Sequence, residues 1–256
     1  MTRHLLLVAV IAACAPRTGE LEDPPSIATD EGRRAVWRDL ARWYIDNKAP
    51  DQALEMVKRV RDTGYDDDEL SLIQARAMLA QGMPDEARVI LEAQARKHPK
   101  DHDILGALGI VYSDLGLYDQ AVEVLTTAVA IDDQDAVNRN NLGFILLGLG
   151  RCEEAKAQLE AVLSLDPTQA RYRNNLAFAL VCLGEHQRAL KLFRTTLPEA
   201  EARYNMGIAY ERLDRVPSAI LQYREVLAIS PDHAGARDAL SRLAPLETAA
   251  PTEGPR

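Results

Sequence analysis

The sequence predicts an all-α protein, an α-solenoid of stacked helix pairs, and three columns of residues predict it. Alanine recurs at Ala53, Ala87, Ala121, Ala155 and Ala189 with a period of 34 residues, and again at Ala219 after 30. Twelve positions before each stands a small residue: Ala41, Ala75, Gly109, Gly143, Ala177 and Gly207. Five positions before each stands a turn residue: Lys48, Gly82, Gly116, Gly150, Gly184 and Asp214. A fixed period near 34 marks a helical repeat array. Small residues let two helix backbones approach closely, and glycine takes the left-handed conformation that closes a helix. Pro99, Pro167 and Pro231 break the chain before the next pair. Of 256 residues 47% are apolar and only 5% aromatic, which suits a core of Leu, Ala and Val. No strand-like alternation competes with the helical spacing.

Taken in order, residues 1–13 read as a signal peptide. Arg3 and His4 precede an apolar stretch, Leu5 to Ala13, too short to span a bilayer. Residues 14–33 hold Pro16, Pro24 and Pro25 with Gly19, Gly32 and several acids. That composition cannot bury a core and reads as a tether, reaching roughly 20–25 Å. Six repeats follow at 34–67, 68–101, 102–135, 136–169, 170–199 and 200–233. The second carries Ser71 and Gln74 at usually apolar places. The fifth lacks four residues around Thr195 to Pro198, which predicts a shortened second helix. Residues 234–243 place Leu240 and Leu243 on one helical face, and Pro245, Pro251 and Pro255 mark 244–256 as a disordered tail.

The repeats carry a resemblance. Trp37, Leu40, Ala41 and Tyr44 match the tetratricopeptide (TPR) pattern W-x2-L-[GA]-x2-Y, with Ala53 on schedule. Leu108, Gly109, Tyr112, Tyr118, Ala121 and Ala128 repeat it, as do Asn141, Leu142, Gly143, Ala155 and Pro167. Met206, Gly207, Tyr210, Ala219, Tyr223 and Pro231 give a last copy. The resemblance implies a right-handed TPR superhelix of about six helix-turn-helix repeats, with residues 234–243 as the cap helix over the last apolar edge.

Ile11-Ala12-Ala13-Cys14 resembles the bacterial lipobox. That resemblance implies diacylglycerol on the Cys14 sulfur, cleavage before it, and acylation of the freed amine. Each buried methylene of such chains contributes about 0.8 kcal/mol to anchoring. The alternative is an ordinary secretory signal with an incidental cysteine. Ala15, where retained lipoproteins commonly carry Asp, points to the outer membrane, with the repeats facing the periplasm.

In TPR proteins the first helix of each pair lines the concave surface. Here that face includes Ile110, Ser113 and Asp114, then Asn140, Phe144 and Leu147, then Arg171, Asn174, Phe178 and Val181, then Tyr204, Ile208, Glu211 and Arg212. Phe144 and Phe178 stand one repeat apart, as do Asn140 and Asn174. Asn141, Asn175 and Asn205 run beside them as an asparagine ladder. Asparagine offers a donor and an acceptor to an extended peptide backbone, and phenylalanine an apolar anchor. The expected groove is therefore Asn140, Phe144, Arg171, Asn174, Phe178, Tyr204 and Ile208. The competing reading has asparagines bonding within the repeat and phenylalanines packing between helices. The Lys/Arg-rich pattern with which chaperone-binding TPR domains clamp a terminal carboxylate is not seen.

A net charge of −9 argues against nucleic acid, which needs clustered Lys and Arg. Acidic runs such as Asp66-Asp67-Asp68-Glu69 read as solvated helix starts favoured by the dipole. No catalytic constellation, phosphate loop or nucleophile elbow is found. His98 and His102 are four apart, but Pro99 between them breaks the helix that a shared metal would need. No cofactor or metal is expected. Lipobox and repeats together resemble the Tad/Flp pilus assembly TPR lipoproteins, through Arg173-Asn174-Asn175-Leu176-Ala177 and Leu197-Pro198-Glu199-Ala200-Glu201-Ala202, and the type IV pilus pilotins in layout. The resemblance implies a non-enzymatic scaffold binding an envelope protein, such as a secretin or pilus component. The alternative is an adaptor tethering a peptidoglycan or cell-division enzyme.

Cys152 and Cys182 should open the second helix of repeat four and end the first helix of repeat five. In a TPR array those ends share an edge, so an oxidising periplasm would permit a disulfide. The alternative is two independent small packing residues. For Cys14, metabolic labelling with an alkyne fatty acid is expected to mark the wild-type chain and leave Cys14→Ala unlabelled. Equal labelling of both would rule out lipidation there.

Overall fold

The computed structural model describes residues 30–249, and all thirteen regular elements among them are α-helices. They divide into two compact units after Leu117. Unit one holds α1 (Asp30–Asp46), α2 (Pro50–Asp62), α3 (Asp68–Ala80), α4 (Pro84–Lys97) and α5 (His102–Asp114). Unit two holds α6 (Tyr118–Ile131), α7 (Ala136–Gly148), α8 (Cys152–Leu165), α9 (Ala170–Cys182), α10 (His186–Phe193), α11 (Glu199–Arg212), α12 (Val216–Ile229) and α13 (Ala234–Ala249).

The turn column ends every first helix in the same way. Lys48, Gly82, Gly116, Gly150, Gly184 and Asp214 all have φ between 55° and 79°. The next N–H returns to the carbonyl five residues back: Ala49 to Tyr44, Met83 to Met78, Leu117 to Tyr112, Arg151 to Leu146, Glu185 to Leu180, Arg215 to Tyr210, at 2.8–2.9 Å. The turn residue's own N–H bonds three residues back, as at Gly150 to Leu147, 3.0 Å. This pair of bonds is the Schellman motif, which satisfies orphan carbonyls at a helix end. Within each unit it reverses the chain tightly enough for the second helix to return along the first.

Helix starts are set by local chemistry. Asp67, Asp101 and Asp135 cap α3, α5 and α7, each carboxylate accepting from backbone N–H groups in the first turn at 2.7–3.1 Å. Pro50 and Pro84 open α2 and α4, where the missing N–H would have no partner. The dipole-favoured reading of Asp67, Asp68 and Glu69 corresponds to a cap followed by two first-turn acids.

Packing follows the small-residue columns. All six repeat alanines have no exposed surface. A Cβ on Gly143 would lie 2.7 Å from Leu159 Cγ, and one on Gly207 2.5 Å from Tyr223 Cε1. Glycine is therefore required at both places. In unit one Leu40, Ala41, Met56, Val57, Val60, Leu70 and Ile73 form the core, with Trp37, Trp43, Tyr44, Ile45 and Tyr65 against it.

Two boundaries differ from expectation, and the expected shortening of one second helix is present. α1 begins at Asp30, inside the segment expected as tether. α13 runs to Ala249 rather than ending at Leu243, so the tail does not begin at residue 244. Proline removes one hydrogen bond but has helical φ, and the helix passes through Pro245. α10 spans only 8 residues, against 13 or 14 in the other second helices. Arg194 after it forks onto Glu199, which also receives Arg203 at 2.6 Å. The Arg194 hydrogen bonds hold the Glu199 carboxyl below the usual carboxylate range, against the push of burial.

Cys152, first residue of α8, and Cys182, last residue of α9, are joined in a disulfide with Cα atoms 6.1 Å apart. The bond closes a loop of sequence separation 30. Reduction, or Cys152→Ser with Cys182→Ser, is expected to lower stability by about 3–4 kcal/mol in the chain-entropy model. Urea unfolding of the protein with and without reductant measures it. Free thiols at both positions before reduction would contradict the bond.

Candidate interaction face of unit two

The first helices α7, α9 and α11 pack in sequence, α7 on α9 and α9 on α11. Their exposed sides form one face, and the sequence-predicted residues take different roles on it. Phe144 on α7 is 48% exposed. Val137, seven residues earlier on the same side of α7, is 46% exposed. Val137 was not among the expected groove residues, although its spacing from Phe144, two helical turns, carried the signal.

The asparagines mostly serve the fold. Asn140 is buried, and its Oδ1 accepts from Asn175 Nδ2 at 2.9 Å. The bond crosses from one expected series to the other and clasps α7 to α9. Asn140 is thus not a free groove residue, and Asn175 has its amide engaged: low exposure makes an unpartnered amide costly, so each satisfies the other. Asn174 is half-buried, and its Oδ1 is enclosed without a hydrogen-bond partner among the described residues. Asn141 and Asn205 are half-buried.

Phe178 also departs from its repeat-mate. It is half-buried, edge-on to Phe193 of α10 with ring centres 5.8 Å apart. The Arg212 guanidinium of α11 lies over the same ring at 5.1 Å. Val181, expected on the face, is fully buried. Arg171 is exposed; it lies over the Tyr172 ring at 4.9 Å and donates to the Tyr172 hydroxyl at 3.0 Å. Tyr204 is packed between Tyr223, 5.5 Å away, and His233, 4.6 Å away, with its hydroxyl beside Gly235 of α13.

Ile208 opens a depression of 350 Å³ shared with Tyr204, Glu211, Arg212, Tyr223 and Arg242. At its edge Glu211 accepts from Arg242 Nη1 at 2.7 Å and from the Tyr223 hydroxyl at 2.9 Å. Arg242 holds the Glu211 carboxyl below its ordinary range, against burial. Burial first, then the Glu211 contact, push the Tyr223 phenol well above its usual value. Glu211 is therefore an engaged carboxylate. Arg242 and Tyr223 lie outside the first-helix positions of the six repeats, so their part in the depression was not foreseen from the repeat pattern.

Unit one has a depression of its own, of 360 Å³, with Arg42, Asp68 and Glu69 in its lining. Glu69 meets Arg38 and Arg42, and Asp68 lies 2.8 Å from His98. Ile110 on α5 is exposed, as is Asp114, while Ser113 is half-buried. His98 caps the end of α4 and His102 starts α5, on separate elements. Among the described residues no group of three His, Cys, Asp or Glu is placed to hold a metal ion. Cys14 lies outside the described residues.

Tetratricopeptide repeat models match residues 78–142, 141–200 and 187–234. No curated protein matches the chain by sequence. Among solved structures the chain is similar to MamA AMB-1, at 26% identity over 62% of this chain and 94% of that one, with a TM-score of 0.51. It is similar in fold to Cut9 of the APC/C hetero-tetramer Cut9-Hcn1, at 20% identity, covering 82% of this chain and 42% of that one, with a TM-score of 0.64. It is also similar in fold to Pseudomonas aeruginosa PilF, at 15% identity, covering 83% and 99%, with a TM-score of 0.63. The matched models together span 78–234, well over half of the 256 residues, and the chain belongs to the tetratricopeptide repeat family.

Proposed function

We propose that this chain is a non-enzymatic scaffold, a lipid-anchored envelope protein that captures a segment of a partner on the α7–α9–α11 face and so assists pilus or secretion machinery assembly. One observation carries the binding face: Phe144 and Val137, two turns apart on the same side of a first helix, are both open to solvent, where the fold does not require them. Tetratricopeptide repeat proteins in general mediate protein–protein interaction, and aromatic residues are favoured anchors in such contacts. The envelope assignment rests on the lipobox-like Ile11-Ala12-Ala13-Cys14. The pilus assignment rests on the sequence likeness to Tad/Flp assembly lipoproteins, and the PilF likeness supports the fold alone.

The two phenylalanines separate binding from folding. Phe144→Ala is expected to keep stability within about 0.5 kcal/mol, as exposed sites do, while weakening partner capture. Phe178→Ala is expected to destabilise, by up to roughly the 3–5 kcal/mol of a buried phenylalanine. The assay is pull-down of the lipidated chain with mass spectrometry, beside urea unfolding of each variant. A secretin or pilus component lost on Phe144→Ala would support the reading. Peptidoglycan synthases or division proteins in its place would favour the tethering adaptor. Undiminished capture by Phe144→Ala would remove this face from the account.

A further inference from the structure

The charges of unit two are mostly matched within it. Arg151 pairs with Glu154, Arg188 with Glu185, Arg194 and Arg203 with Glu199, and Arg242 with Glu211. Other arginines use neutral oxygens, Arg139 on Gln158, Arg173 on Thr168 and Arg215 on Cys182, and two exposed arginines of α9 and α11 stack instead. Arg171 and Arg212 each lie on an aromatic ring, and neither has a carboxylate partner among the described side chains. That is notable in a chain of net charge −9, where acids outnumber bases 39 to 30.

Stacking occupies the flat face of a guanidinium and leaves its edge of N–H donors free. The Arg212 edge borders the depression over Ile208 and Tyr204. The other charges there, Glu211 and Arg242, neutralise each other. The depression therefore keeps one unmatched positive charge, in fork geometry, beside Ile208 and the Tyr204 ring. A carboxylate is the group that such a fork fits with two parallel bonds.

Resting on the reading of this face as a binding surface, we propose that its occupant is an extended segment with an internal acidic side chain seated on Arg212 and an apolar side chain on Phe144 and Val137. Helices packed side by side stand roughly 10 Å apart, so α7 to α11 covers roughly 20 Å. An extended chain covers that in about six residues. The occupant thus carries Asp or Glu about six residues from a Leu, Ile or Phe. One free fork matches a single side-chain carboxylate, and the open Phe144 beyond it means that the segment continues across the face.

The test uses the full chain in detergent and fluorescent dodecapeptides, acetylated and amidated, with Leu and Glu about six positions apart in a Ser/Thr/Ala background. Matched peptides carry Gln or Lys for Glu, and one further peptide has its acid only as a free C-terminus. Anisotropy is expected to show Glu binding about tenfold more tightly than Lys, with Gln between. Arg212→Gln should abolish that order, Arg212→Lys should keep part of it, and Phe144→Ala should weaken Glu and Gln peptides alike. Circular dichroism checks folding of each variant; if Arg212→Gln loses helicity, the Lys variant and the wild-type peptide series decide. Equal binding of Glu, Gln and Lys peptides would overturn the acidic segment and leave the face as a binding surface. Binding of the free C-terminus alone would overturn the internal acid. Binding of no peptide would also overturn it, and Phe144-dependent partner capture then judges the face independently.

Discussion

Contact without clearance between the paired helices within each unit is the constraint on which the structure depends. The six repeat alanines have no exposed surface, and two glycines face Leu159 and Tyr223 so closely that a single added methyl would collide. At such spacing dispersion contacts are dense, and one extra carbon forces strain of about 1–3 kcal/mol. The turn must then deliver the second helix at that distance every time. The Schellman closure does so by geometry rather than by residue identity: Lys48 and Asp214 adopt the left-handed conformation that glycine adopts at the other four turns. Their strain is accepted because the two hydrogen bonds and the packing beyond them fix the turn.

A framework defined this way leaves the outer positions of the first helices free to differ. Phe144 and Phe178 occupy the same repeat position, yet one is open and the other is wedged between Phe193 and Arg212. The difference comes from the neighbours. Repeat five has the short α10, ending at Phe193, and α11 follows directly after Pro198. The loss of four residues thus brings aromatic and basic groups around Phe178, while Phe144 has no such cover. The same local change sets Arg212 on a ring and so frees its edge.

The parts of this arrangement that repeat were legible in the sequence, because a periodic column averages over many local environments. The alanine, small-residue and turn columns needed no knowledge of neighbours beyond the pair. What differs from repeat to repeat was not legible. Asn140 and Asn175 face each other across α7 and α9, one residue off the ladder that equal spacing suggested. Val181 was expected on the face, but its helix also packs against α8, α10 and α11, and the residue is buried. Val137 was legible by its spacing from Phe144, two helical turns on the same side. Arg242 could not be placed on the depression until α13 was seen to lie over Tyr204 and reach Glu211.

The end of α9 connects framework and face. Cys182 is tied to Cys152 of α8 by the disulfide, and its carbonyl accepts from Arg215 at the α11–α12 turn at 3.5 Å. Phe178 lies one helical turn before Cys182, and Arg212, the last residue of α11, three residues before Arg215. The residues that meet in the Phe178–Arg212 stack are thus each three or four residues from one of these contacts. A side chain held from both ends loses less freedom when a partner binds, which is how a rigid scaffold gains affinity without added contact area. The covalent tie sits at the margin of the face, where it holds the helix end without occupying the surface that a partner would cover.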